Sequence, residues 1–346
     1  MPTPSSLEHM LPELLDVLKI VEDAGNLVTH QTLANITVNG MSLPLLAVEA
    51  GSSNPAAPVL VITGGVHGLE RIGSRVVIAY MKTLFTLLKW DEVMMAALEK
   101  VRLVFIPVIN PGGMFLRSRC NPNGVDLMRN SPVEREDSGG FPLVAGHRYS
   151  AKLPWFRGRA GGPMEIESAA VIDFLSGRLS KTKFSTILDV HSGFGVVDRL
   201  WLPFAYSKKP FTHAPEAFRL KQLLDGAFPN HIYRFEPQST QYTTHGDLWD
   251  YLYLKLQKEN PDRLNMPLAL ELGSWIWIKK NPRQILSATG MFNPIKPHRH
   301  SRILRRHLVL FDFLIRATAS FEKWAFPDHK TRQDLALLAG SHWYKP

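Results

Sequence analysis

The chain predicts an α/β fold: one domain, a sheet with helices on both faces. Three observations carry that expectation. Short apolar, β-branched runs recur along the chain, the signature of strands buried on both sides. Segments of helical periodicity alternate with them, as in sheets covered by helices. No internal repeat, low-complexity linker or compositional break divides residues 1–346, so residues 1–45 belong to the same unit.

Leu11, Leu14, Leu15, Leu18 and Val21 recur at helical spacing and predict a helix over 7–24. Residues 33–49 alternate as two strands joined by a turn at Asn39-Gly40. Pro58–Thr63 is a buried strand ending in Gly64-Gly65, followed by a helix over 71–88. A second buried strand is expected over 101–109. The segment 131–163, rich in Gly, Pro and Arg, predicts a long surface loop of the kind that borders active sites. A helix over 165–179, a strand over 186–190, a helix over 215–228, a strand over 267–272 and a last helix over 301–323 complete the pattern.

Composition narrows the class. At 45% hydrophobic and 21% charged residues, the 346-residue chain can bury a large core. Its net charge of +9 is concentrated around His298–Arg302 and Arg305–His307, ordinarily a solvated face. Nothing in the pattern points to nucleic acid, and no apolar run is long enough for a membrane span. One cysteine, Cys120, excludes an internal disulfide. The first residues lack a basic start and an apolar stretch, so the expectation is a cytoplasmic protein. Nothing sets an oligomeric state.

Three polar clusters stand at the ends of apolar strands, where open α/β sheets bind their ligands. The first is Gly65–Glu70, in which His67 and Glu70 leave a strand end together. His-x-x-Glu spacing alone is weak, and His213–Glu216 repeats it in a polar, proline-containing loop. Position separates the two. The second is Asp189–Gly193, with His191 where its strand opens. Two imidazoles and one carboxylate leave a coordination position for water, the pattern of a catalytic zinc. The third is Glu271, a carboxylate in an otherwise apolar strand, costly unless paired, liganded or catalytic. Arg117, Arg119 and Arg129 form a basic stretch suited to a substrate carboxylate or an oxyanion.

Taken in order, Gly65–Glu70, Asn110–Gly113, Gly124–Asn130, Leu188–Gly193 and Leu270–Gly273 resemble the zinc carboxypeptidase family, the carboxypeptidase A-like metallopeptidases, over roughly residues 58–275. The resemblance implies a mixed, mostly parallel sheet of about eight strands. It implies one Zn2+ held by His67, Glu70 and His191, with Glu271 as the general base. It further implies that Asp126 orients a ligand histidine, Arg119 polarises the scissile carbonyl, Arg129 grips the substrate's terminal carboxylate and Tyr242 caps the site. Tyr251 and Tyr253 rival Tyr242. Met128 stands where the family carries an asparagine, which removes a donor from carboxylate recognition, and Leu69 replaces an arginine of the pancreatic enzymes. No pro-domain is visible ahead of residue 45. The activity implied is hydrolysis of the C-terminal amide bond of short peptides. An aspartoacylase-like deacylation of N-acyl amino acids and a cell-wall peptide amidase are the alternatives.

Overall fold

In the computed structural model, which describes residues 4–137, 143–287 and 289–344, eight strands form one mixed sheet in the order β1-β2-β4-β3-β5-β8-β6-β7. The strands are β1 Val28–Val38, β2 Met41–Gly51, β3 Val59–Gly64, β4 Arg102–Ile106, β5 Phe184–Ser192, β6 Arg199–Leu202, β7 Arg234–Pro237 and β8 Leu264–Leu272. Pairs β3/β4, β3/β5, β5/β8 and β6/β7 are parallel, and β1/β2, β2/β4 and β6/β8 are antiparallel.

The hairpin β1–β2 turns where expected. Asn39 and Gly40 both adopt positive φ, the two-residue turn that matches strand twist. Every residue of β3 and β5 is buried, as central parallel strands require.

Helices cover the two faces. α1 (Pro4–Met10) and α2 (Pro12–Ala24) replace the single predicted helix, because Pro12 cannot continue α1 and opens α2 instead. α3 (Arg71–Leu87) leaves β3 and packs over β3 and β5, α4 (Glu92–Lys100) leads into β4, and α5 (Pro111–Phe115) follows it. α6 (Ile166–Leu179) and α8 (Leu248–Glu259) pack together, against β1 and β8 respectively. α7 (Ala214–Ala227) and α12 (His329–Trp343) form a pair. α9 (Trp275–Lys280), α10 (Pro297–Arg306) and α11 (Leu308–Ala319) complete the set. One continuous hydrophobic core runs from Leu11 to Trp343.

Two further expectations are corrected. The strand predicted over 101–109 stops at Ile106, since Pro107 has no N–H for the ladder; Ile109 still donates to the Gly64 carbonyl at 3.0 Å. The predicted last helix breaks at His307, and α12 follows it. The loop over 131–163 lies at the surface as expected, and buried Arg157 ties it down by donating to the Ser131 and Val133 carbonyls and to Glu134. Residues 138–142 of that loop lie outside the described residues. No described helix is long and apolar enough to cross a membrane.

Candidate metal and active site

The sheet topology brings the three polar clusters together. β5 lies between β3 and β8, all parallel, so their carboxyl ends open side by side. His191 and Glu271 are direct register partners across β5 and β8, on one face of the sheet. His67 and Glu70 lie in the turn between β3 and α3. That turn depends on Gly65, at φ 70°, and on Gly68, where a Cβ would stand 2.2 Å from the Gly113 backbone.

Candidate ligand atoms of His67, Glu70 and His191 lie within 4.8 Å of one another, and no other such group occurs among the described residues. All three side chains are buried. His67 Nδ1 is 2.9 Å from Glu70 Oε1, and His191 Nδ1 is 3.3 Å from Glu70 Oε2. The opposite nitrogens face other carboxylates: His67 Nε2 is 3.0 Å from Asp126 Oδ1, and His191 Nε2 is 2.6 Å from Asp189 Oδ2. Ionised carboxylates only accept, so a neutral ring can donate to only one of the two it faces; donation through Nε2–H to Asp126 and Asp189 turns each Nδ1 lone pair toward Glu70. Two imidazole lone pairs then face one carboxylate, an arrangement that needs either extra protons or a shared cation. The donor set therefore fits a divalent ion of the zinc type. Burial opposes ionisation of Glu70, but positive charge at His67 and His191, the charge a bound cation would supply in their place, outweighs it and holds the carboxyl far below the usual range. The Ser192 amide also donates to Glu70 Oε2, at 3.0 Å.

Asp126, with no exposed surface, is a hub. It accepts from His67 and from the Met128 amide through Oδ1, and from Arg119 Nε and Arg129 Nη1, each at 3.0 Å, through Oδ2. Burial disfavours its charge, yet Arg119, His67 and Arg129 hold its carboxyl well below the ordinary range. Arg119 also reaches Glu70 Oε1 at 3.3 Å, and its Nη2 lies 2.8 Å from His67 Nε2. Arg129 donates through Nε to the Val144 carbonyl, so the long loop does border the site.

Glu271 is 8% exposed, and its Oε2 has no hydrogen-bond partner. Burial pushes its carboxyl up to about 8; His191 opposes the shift and Glu70 adds to it. Tyr242 packs on Phe194 and Trp201, both with ring centroids at 5.7 Å. Burial raises its hydroxyl to about 12, and Arg129, Glu271, Arg119 and Glu70 all act on it. Tyr253 lies instead among Phe204, Phe211 and His213. The second His-x-x-Glu is structural: His213 contacts Tyr253, and Glu216 pairs with Arg332. Cys120 is buried, and burial, with Asp126, raises its thiol to about 11, which leaves it un-ionised and unreactive. Arg117, at the exposed end of the basic stretch, makes no hydrogen bond or ion pair with the cluster.

Asp189 had no role assigned from sequence. It is fully buried and accepts from Thr63 Oγ1 at 2.8 Å and Trp249 Nε1 at 2.8 Å, as well as from His191. The signal was present: Asp-x-His within a strand puts both side chains on one face. Outer carboxylates of this kind fix a ligand histidine, and losing one costs about 10–100-fold in metal affinity. Asp189→Asn can keep its oxygen for Thr63 but then turns an N–H toward His191 and Trp249, which share Oδ2 in the natural protein. Its zinc affinity, measured by competition with a chromophoric chelator, should fall by that factor while the fold persists. An unchanged affinity would leave Asp189 a purely structural residue.

A family model described as zinc carboxypeptidase matches residues 16–270. The chain is 34% identical over 100 residues to carboxypeptidase SOL1 of Arabidopsis thaliana, a stretch covering 28% of this chain and only 20% of that protein. Among solved structures it is similar to bovine thrombin-activatable fibrinolysis inhibitor in complex with tick carboxypeptidase inhibitor, at 16% identity, TM-score 0.64 and coverage of 89% of this chain and 97% of that one. It is also similar to carboxypeptidase A from Helicoverpa armigera, at 16% identity, TM-score 0.56 and coverage of 89% and 72%. At such identities the structural likeness speaks for the fold, and the matched span, most of the length, speaks for descent: the chain belongs to the zinc carboxypeptidase family.

Proposed function

We propose that residues 1–346 act as a single catalytic domain, a metallocarboxypeptidase hydrolysing the C-terminal amide bond of short peptides. The observation that carries this reading is the buried, unpartnered Oε2 of Glu271, on the strand beside His191 and next to the His67–Glu70–His191 cluster. His67, Glu70 and His191 would hold zinc, which supplies Lewis-acid polarisation and lowers the pKa of a water toward ~7.

Glu271 takes the proton of the attacking water and delivers it to the leaving amine nitrogen. To do so it must be ionised, which burial opposes; positive charge held by its neighbours restores that form. Arg119 keeps N–H groups beyond those engaged by Asp126 and Glu70, and donates them to the oxygen on which charge develops. Asp126 holds Arg119 and Arg129 side by side. Arg129 receives the terminal carboxylate, and Tyr242, backed by Phe194 and Trp201, closes over the bound peptide and excludes water.

Peptide pairs with free and amidated C-termini, assayed beside N-acyl amino acids, test the reading. The free acids should be cleaved preferentially. Arg129→Ala should erase that preference, a loss of ~1.5–3 kcal/mol or roughly ten- to a hundredfold in kcat/KM, as expected for a hydrogen bond to a charged group. Equal cleavage of both peptide forms by the natural sequence would replace the carboxypeptidase with a broader amidase.

A further inference from the structure

From Leu272 to Phe311 the chain contains no Asp or Glu and eight Lys or Arg, so this stretch carries nearly all of the +9 net charge. It forms one surface. The Arg299 guanidinium donates to the Trp277 carbonyl, joining α10 to α9, and Gln284 donates to the Gly290 and Asn293 carbonyls, closing the segment between them. On α10, His298, Arg302 and Arg305 share a helical face opposite buried Ile303. Among the described residues, only Arg306 of these eight cations reaches a carboxylate, Asp198, at 3.5 Å. Lys279, Lys280, Arg283, Lys296, Arg302 and Arg305 are exposed.

The inner end of this surface is tied to the metal cluster. Asn293 donates to the Leu69 carbonyl and accepts from the Ile72 amide, bracketing Glu70. The Trp275 indole donates to the Gly193 carbonyl at 2.9 Å and packs on Phe194, which packs on Tyr242. Lys279 lies one helical turn beyond Trp275 on the same face of α9.

We propose that this basic stretch is the track for an acidic peptide substrate, its Asp or Glu residues upstream of the scissile bond lying along Lys279, Lys280 and Arg283 while its C-terminus occupies the site. The proposal rests on the carboxypeptidase reading. A charged track of one sign raises local substrate concentration and association rate, and salt screens it. Because the track ends at the cluster, an occupant running along it is led into the site, which a membrane lying on the same face would not be.

The test compares two peptides with the same C-terminal dipeptide, one preceded by four glutamates and the other by four glutamines. The natural protein should favour the glutamate peptide on the order of tenfold in kcat/KM at low ionic strength, and the preference should vanish near 1 M salt. Lys279→Glu/Lys280→Glu/Arg283→Glu should abolish it while the glutamine peptide is cleaved as before. Equal handling of the two peptides at low salt overturns the proposal. Fluorescence anisotropy with the labelled peptides separates the two ideas if neither is hydrolysed. Tighter binding of the glutamate peptide, lost in the triple variant, keeps the track and removes the carboxypeptidase reading; equal binding removes the track. Co-sedimentation with phosphatidylglycerol vesicles that the variant loses, with the two peptides treated alike, makes the face a membrane surface and overturns the proposal.

Discussion

Glu271→Gln should retain the metal and the fold and lose kcat by about 10²–10⁴, the contribution typical of a positioned general base. The size of the effect follows from how little else the substitution changes. Glutamine has the same shape, and Oε2 makes no hydrogen bond that an amide would break. Residue 271 keeps its place in β8 opposite His191, because the ladder uses only the backbone. Residue 271 is not one of the three ligand residues of the cluster, so the metal should stay bound. Single-turnover rates on a free-carboxylate peptide, with zinc content measured on the same preparation, decide the matter. Turnover near that of the natural sequence, at full zinc, would mean that another group takes the proton.

What could be read in advance followed the strength of the local pattern. β3 is a nearly continuous apolar run, and β5 and β8 carry apolar stretches at Ile187–Leu188 and Leu268–Leu270, as strands buried on both faces do. The chemistry-bearing residues sit at their ends because the topology leaves the carboxyl edge open there. β6 and β7 went unseen: each has four residues and carries charge, as in Arg199 and Glu236. Those two side chains pair with each other, at 3.1 Å, across adjacent strands, a compensation that periodicity cannot reveal. α8 was missed although Asp247 caps it through the Trp249 and Asp250 amides, since its apolar residues are interrupted by Asp250, buried and held by the Ala205 and Tyr206 amides, and by Lys255, Lys258 and Glu259.

The site shows the same division. Which residues converge was legible from motif order, but how they are held was not. Asp126 was assigned to one histidine, whereas it also holds Arg119 and Arg129, so the groups assigned to oxyanion and carboxylate share one anchor. Met128 was read as a missing donor at the substrate. Its side chain instead joins the core and lines a pocket with Trp201, Leu202 and Trp249. An asparagine there would bury its amide among those rings, at a cost unless it found a partner. Asn293, more than 200 residues away in sequence from Leu69, anchors the turn that carries Glu70; a contact of that range has no local signature.

The second large effect is expected for His191→Ala, which should purify with far less than one equivalent of zinc. Losing a ligand removes a coordinate bond outright, so the fall in affinity should exceed the ~10–100-fold that an outer carboxylate contributes. The variant also strands Asp189: its charge, favoured in the native protein by the imidazole, keeps only Thr63 and Trp249 as partners. A buried group that loses one partner typically costs ~1–3 kcal/mol, so some destabilisation is expected apart from the metal. The two contributions are separable by unfolding with and without zinc. Binding confined to the folded state stabilises the natural protein by about 4 kcal/mol when free metal exceeds its Kd a thousandfold. The variant should show little of that zinc-dependent increment, while its metal-free unfolding differs from the natural protein only by the Asp189 penalty. A zinc-dependent rise as large as that of the natural sequence would place the ion away from His191 and dissolve the cluster as a metal site.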